Sequence, residues 1–175
     1  MIRTSIFRAL GAMVGLGAAL TAGCGPYSFS GSTLPGHIKT VGIPLFENRT
    51  DRGDLPTKLA ELLVEGFLDD NKLRVQPAEG ADSVIEGAIV EYQRVPYTFD
   101  ASEQVETYRI EIALEVRFVD VKKNAVIWEE QRLAQWDTYN FAGVGGQAPE
   151  TEEQGIDRVL AKLANDILNR TVQGW

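Results

Sequence analysis

The sequence predicts an α+β fold, a two-layer sandwich in which two helices pack on one face of a mixed, mostly antiparallel sheet of about four strands. Three observations predict it. Residues 106–119 alternate without a break, with Tyr108, Ile110, Ile112, Leu114, Val116 and Phe118 on one side and Thr107, Arg109, Glu111, Ala113, Glu115 and Arg117 on the other. A period of two sustained this long belongs to a strand with one buried face. Two further stretches, 55–70 and 152–172, repeat apolar residues at helical spacing. The order is then strand, helix, at least three strands, helix, and two amphipathic helices are what one apolar sheet face needs to be covered.

Taken in order, residues 38–46, IKTVGIPLF, are apolar and β-branched enough for a strand, with Pro44 placing it at an edge or near a strand end. ENRTDRGD follows as a polar loop. A helix spans 55–70: Asp54 precedes it, Pro56 suits its first turn, and Leu55, Leu59, Leu62, Leu63 and Phe67 form its stripe. DDNK ends it, and 73–75 has the makings of a short strand. Residues 84–95 read as another strand, with Gly87 a weak spot or bulge. After the long alternating strand, DVKKN is a tight turn, and 125–136 returns as its partner with Val126, Trp128 and Trp136 on one face. The glycine-rich stretch NFAGVGGQAPE is a flexible loop. Thr151 and Gln154 then match a capping box, and Ile156, Val159, Leu160, Leu163, Ile167 and Leu168 form the stripe of the last helix.

The other face of the sheet is polar with small residues inserted, so it has to meet water or a polar partner. Two long connections, 95–105 and 140–150, are the preferred contact loops. Within the first, Tyr97 and Phe99 either mark a partner contact or fold back over the core.

The amino terminus carries a different signal. Arg3 and Arg8 form a short positive region with no acid in the first 23 residues, and 9–22 is an unbroken apolar or small run. That run is too short to span a bilayer and has the form of a secretory signal. It ends in Ala22 and Gly23 before Cys24, the single cysteine of the chain, and LTAGC resembles a lipobox, with Thr21 where Leu is commoner. Residues 1–23 are then a removed signal peptide, 24–36 a lipidated Gly/Ser/Pro-rich tether, and 37–175 a single domain. Cys24, at the end of that segment and with no second cysteine to pair with, would carry the lipid, and several acyl chains anchor a protein durably where one is marginal. Gly25, a residue other than Asp after the cysteine, favours the outer membrane.

The chain from Cys24 to its end holds 15 basic residues against 25 acidic ones, a net charge of −10. This excludes a nucleic-acid partner, whose phosphates need a basic surface. A lone cysteine provides no disulfide framework, so the core alone holds the exported domain. His37 is the single histidine. Neither a metal site nor a Ser-His or Cys-His arrangement can be assembled around it, and GVGGQ lacks the Lys-Ser/Thr ending of a phosphate loop. The acidic pairs Asp69–Asp70, Glu129–Glu130 and Glu152–Glu153 read as solvated faces. The sequence names no catalytic residue, metal or cofactor.

Three segments taken together, CGPYSFSGSTLPGHIKTVGIPLFENRT, YRIEIALEVRFVDVKKNAVIWEE and ETEEQGIDRVLAKLANDILNRTVQGW, resemble the lipopolysaccharide-assembly lipoprotein family (LptE), in its versions outside the enterobacteria. The resemblance covers almost all of the chain after Cys24. It implies a non-catalytic, periplasm-facing, lipid-anchored plug inside a large outer-membrane β-barrel (LptD-like), paired one to one. The pair would deliver lipopolysaccharide to the outer leaflet. Lipopolysaccharide phosphates call for Arg or Lys, and the candidates are Arg94, Arg109, Arg117, Lys122 and Lys123. The alternative for Arg109 and Arg117 is simple pairing with Glu111, Glu115 or acids of a neighbouring strand. The competing function is a stand-alone outer-membrane binding module for peptidoglycan or lipid.

Overall fold

A computed structural model describes residues 34–173. The signal-like segment, Cys24, and Tyr27 and Phe29 of the tether lie outside the described residues. Eight elements follow one another: β1 (Thr40–Gly42), β2 (Glu47–Asn48), α1 (Leu55–Asp70), β3 (Arg74–Val75), β4 (Ser83–Phe99), β5 (Val105–Asp120), β6 (Ala125–Tyr139) and α2 (Glu152–Val172). They build one six-stranded sheet in the order β3-β1-β4-β5-β6, with β2 also paired to β4. β1 runs parallel to β3 and β4, and β2 parallel to β4. The β4, β5 and β6 strands form an antiparallel meander. The α+β class stands, and the sheet has six strands where about four were expected. Pro44 explains part of the difference. It lacks the N–H that a ladder needs, so the predicted 38–46 strand is reduced to β1, ending at Gly42, while β2 forms at Glu47–Asn48 inside the stretch expected to be a polar loop. β1 also lies between β3 and β4 rather than at the edge.

α1 starts at Leu55 with Pro56 in its first turn and ends at Asn71, whose φ of 57° is the left-handed conformation that closes helices. α2 opens with the predicted capping box: the Thr151 hydroxyl accepts from the Gln154 backbone N–H, and the Gln154 side chain accepts from the Thr151 N–H. Both helices cover the same sheet face. Leu55, Leu59, Leu63 and Phe67 of α1 and Ile156, Val159, Leu160, Leu163 and Ile167 of α2 bury against Ile85, Ile89, Ile110, Ile112, Leu114, Val116 and Phe118. Each such side chain is worth roughly 1.5–3 kcal/mol when fully buried.

The central hairpin is longer than the sequence suggested. Pairing between β4 and β5 continues to Phe99 and Val105, so most of the predicted 95–105 loop is strand. Its turn is closed by the Asp100 carboxylate, which accepts from the backbone N–H groups of Ser102 (2.7 Å) and Gln104 (2.9 Å). Gly87 is not a bulge, since the register shifts of β4 fall between Ile89 and Glu91, Pro96 and Thr98, and Thr98 and Phe99. The glycine is needed for closeness: a Cβ there would sit 2.0 Å from the Glu115 carbonyl oxygen.

Two further shifts re-aim the side chains of β6. Trp128 lies opposite Phe118 and Leu133 opposite Leu114, both facing the helices, while Val126 is opposite Val119 and Trp136 opposite Glu111, on the far face. The grouping of Val126, Trp128 and Trp136 on one side therefore fails, because each bulge inserts a residue and inverts the alternation. β6 is an edge strand, and α2 guards it. Lys162 Nζ donates to the Trp136 carbonyl (3.0 Å) and Arg158 Nη2 to that of Thr138 (2.7 Å). These groups occupy acceptors that an added strand would use. The 140–150 loop is clasped by Asn140, whose side chain bonds both the N–H (2.9 Å) and the C=O (3.0 Å) of Val144.

Candidate functional site

The meander leaves one sheet face uncovered, and its chemistry follows from alternation. Glu86, Ala88, Glu91, Gln93 and Val95 of β4 lie beside Arg109, Glu111, Ala113, Glu115 and Arg117 of β5, with Glu129, Ala134 and Trp136 of β6 opposite. Ala88 and Ala113 are buried although they point away from the helices. Long charged neighbours lay their stems over such small residues while their heads stay in water.

Those heads pair across the strands. Arg117 meets Glu86 (2.7 Å), and Arg49, from beside β2, meets Glu115 (2.9 Å) and Glu47 (3.0 Å). Arg132 bridges Glu91 (2.8 Å) and Glu111 (2.9 Å), and Glu111 also holds Arg109. Hydrogen bonding from Arg49 keeps the Glu47 carboxyl below the usual carboxylate range, and the two glutamates around Arg132 raise its pKa further. At the lower part of this face a groove of about 590 Å³ opens among Leu45, Arg49, Glu86, Glu115, Arg117 and Glu129. Its lining is mostly charged.

At the hairpin end the same face becomes aromatic. The Arg109 guanidinium lies 4.6 Å from the Trp136 ring centroid, and Tyr97 lies 6.4 Å from it on the other strand. Val95 (44%), Trp136 (47%), Tyr97 (51%) and Phe99 (55%) are all exposed. Tyr97 and Phe99 therefore do not fold back over the core.

The five cations proposed for phosphate do not form one cluster. Arg109 and Arg117 share the open face but sit eight residues apart on β5, about 27 Å along a strand. Arg117 pairs with Glu86 of the adjacent strand, and Arg109 with Glu111. Lys122 and Lys123 occupy the opposite end, in the β5–β6 turn, where Lys122 binds Asp82 (2.6 Å). Arg94 lies on the helix side. Its guanidinium stands 3.7 Å from the Tyr108 ring centroid, donates to the Tyr139 hydroxyl (2.6 Å) and pairs with Glu152 (3.1 Å). Glu152 also accepts from Tyr92 (2.7 Å) and Arg52 (2.9 Å). Burial, with this hydrogen bond to Glu152, pushes the Tyr92 phenol well up. Arg52, in the loop before α1, then pairs with Glu153 of α2, and Lys58 of α1 pairs with Glu153 and Asp157.

Sequence reading missed Trp136 as a surface residue, and it missed Arg49 and Arg132 altogether. A change of parity was the available signal. Trp128 is even and Leu133 and Tyr139 are odd, yet all three are large enough to be core, which requires a bulge between them. The His37 Nε2–H donates to the buried Asp120 carboxylate (2.7 Å), joining the approach to β1 to the end of β5. Among the described residues, no group of three or more His, Cys, Asp or Glu is arranged to hold a metal ion. No helix among them is long and apolar enough to cross a membrane.

Fold and surface together define a class, the open two-layer α+β sandwich with one sheet face left to solvent and lined by charge pairs. Within that class, residues 38–171 match the family described as LptE, lipopolysaccharide-assembly, and the chain belongs to it. It is a lipopolysaccharide-assembly lipoprotein by family. Among solved structures, the fold is similar to that of lipoprotein B from Nitrosomonas europaea, at 16% identity and a TM-score of 0.54, covering 78% of this chain and 83% of that one. It is also similar to the hypothetical protein CT253 from Chlamydia trachomatis, at 12% identity and a TM-score of 0.50, covering 77% and 98%. No curated protein matches the chain in sequence.

Proposed function

We propose that the chain is a non-catalytic outer-membrane lipoprotein, anchored through Cys24, that fills the lumen of a large LptD-like β-barrel one to one and assists lipopolysaccharide delivery to the outer leaflet. Residues 1–23 are the removed signal, 24–36 the tether and 37–175 the working domain. The observation that carries this reading is the open sheet face. It is polar and internally charge-paired, and the interior of an outer-membrane barrel is polar as well. Because Arg49, Arg117 and Arg132 are already neutralised by glutamates, the face can enter such a lumen without exposing unpaired arginine charge.

Lipopolysaccharide contact belongs at the hairpin end. There Arg109 supplies the cation, beside the exposed faces of Trp136 and Tyr97, while Tyr97 and Phe99 extend toward the barrel wall. Arg117, Lys122 and Lys123 are secondary positions, and Arg94 is held too firmly by Tyr108, Tyr139 and Glu152 to move to a ligand without cost. The stand-alone lipid-binding alternative wants an apolar pocket, whereas the groove described above is lined mostly by charge.

Affinity purification of the lipidated protein from detergent-solubilised outer membranes tests the proposal. One large β-barrel recovered at equal stoichiometry is the expected result. Recovery of the protein alone, in detergents that keep other barrel complexes together, overturns it.

A further inference from the structure

The lysines and arginines of residues 34–173 are used unevenly. Twelve of the fifteen are ion-paired within the domain. Among the described residues Lys39, Arg74 and Lys123 make no ion pair, and all three are exposed. They lie at the same end of the sheet. The Arg74 backbone N–H donates to the Lys39 carbonyl (3.0 Å), and the Lys39 N–H donates to the Asp82 carboxylate (3.0 Å) that also holds Lys122. The Val121 N–H donates to the Asp82 carbonyl (3.0 Å), which brings the β5–β6 turn and Lys123 to the same place.

The acids inside this patch are turned to internal work. Asp82 binds Lys122, Lys39 N–H and Thr40, while Asp120 binds His37 and the Lys123 N–H. Asp69, at the end of α1, and Glu79, beyond β3, are the nearby exposed acids. Val121 (46%) and Val126 (50%) stand exposed in the same turn region.

This is also the end at which the chain arrives from its amino terminus. The Ile38 N–H closes a turn onto the Pro35 carbonyl (2.9 Å), so Leu34 lies one turn from His37. Leu34 lies ten positions after Cys24, a reach of at most about 35 Å. A bilayer holding Cys24 therefore lies within reach of this end.

We propose that this end is a membrane-seating surface, on which Lys39, Arg74 and Lys123 contact the phosphates of anionic phospholipids in the leaflet that holds the anchor, and Val121 and Val126 enter the headgroup layer. The proposal rests on the reading of Cys24 as lipidated. Charge decides the orientation. The domain as a whole is acidic, whereas at this end Lys39, Arg74 and Lys123 offset the exposed Asp69 and Glu79, so this approach to an anionic surface is the less repelled one, and screening over roughly 8–10 Å lets only the nearest residues respond. Each basic residue near such a surface strengthens contact about fivefold.

The test uses the lipidated protein in phosphatidylcholine vesicles with and without phosphatidylglycerol. A fluorophore is placed on Val126→Cys or, at the far hairpin turn, on Ser102→Cys, and quenching by a lipid-borne nitroxide is read. Quenching at position 126 that rises with phosphatidylglycerol, stays low at 102, and weakens on the order of fivefold for each of Lys39→Gln, Arg74→Gln and Lys123→Gln supports the proposal. Equal quenching at both positions, or none that depends on anionic lipid, overturns it. Quenching that requires lipopolysaccharide in place of phosphatidylglycerol overturns the phospholipid assignment. Protein that fails to float with phosphatidylcholine vesicles overturns the anchor reading and this surface with it, whereas flotation without orientation overturns the surface alone.

Discussion

Replacing Arg94 by Met keeps most of the aliphatic stem and removes the guanidinium, which separates a structural role from a ligand-binding one. Three interactions are lost. The hydrogen bond to the Tyr139 hydroxyl (2.6 Å) has a charged donor, worth about 1.5–3 kcal/mol. The stack 3.7 Å over Tyr108 is worth about 0.5–2 kcal/mol. The pair with Glu152 joins side chains that are each about one-third exposed, so it adds no more than about 1 kcal/mol. Glu152 keeps Arg52 and Tyr92 as partners, which softens the loss. The expected cost is about 3 kcal/mol, and for a domain of this size that lowers the melting temperature by roughly 6–12 °C. Arg117→Met is the matched control. Its pair with Glu86 is more exposed, and its expected cost is about 0–1 kcal/mol. Urea unfolding followed by tryptophan fluorescence reads both variants, with an unchanged slope certifying that the midpoint reports stability. If Arg94→Met unfolds at the same urea concentration as Arg117→Met, the structural account of Arg94 is wrong and its place among the phosphate ligands is restored.

Gly87→Ala drives a Cβ to 2.0 Å from the Glu115 carbonyl. Because backbone must move, the variant is expected to lose about 3 kcal/mol or more from strain and disturbed pairing, and a stability within 0.5 kcal/mol of the parent, on the order of ordinary surface changes, counts against the close approach. Thr151→Ala removes the cap of α2 and should cost about 0.5–2 kcal/mol, read by thermal unfolding, with Thr151→Ser restoring most of it. Acid sensitivity follows from carboxylates held low in the folded state. Asp137 is pushed up by burial but is pulled further down by Lys162 and the Thr138 N–H, and Glu150 is lowered by the Asn140 N–H and by Arg158. Such groups stabilise the fold above their unfolded pKa values, near 4, and that stability is lost as pH falls through their lower folded values. The melting temperature should be nearly flat down to about pH 5 and decline below it, with Asp137→Asn and Glu150→Gln flattening the acid limb. An acid limb identical in both variants would contradict the assignment.

Much of this protein was legible without a structure, for identifiable reasons. The helices at 55–70 and 152–172 end where their local chemistry ends them, at Pro56 and Asn71 and at the Thr151 capping box. The alternation of β5 named both faces of the sheet correctly, since the period of a regular strand is a local property. The family was legible too, because its segments keep their order and composition along most of the chain.

What the sequence could not decide depends on neighbours. A bulge is a mismatch between two strands, so the inversion that puts Trp136 beside Arg109 and Trp128 in the core is settled only when β6 pairs with β5. Arg94 alternates as a polar residue between Gln93 and Val95, and nothing local says that Tyr108, Tyr139 and Glu152 wait on its side of the sheet. The grouping of Lys39, Arg74 and Lys123 at one end needs three strand ends and a turn to meet. Local periodicity and capping fixed the two helices and the two faces of β5. Register, bulges and long-range charge pairing fixed which arginines are structural, which aromatic side chains reach solvent, and which cations among the described residues make no ion pair.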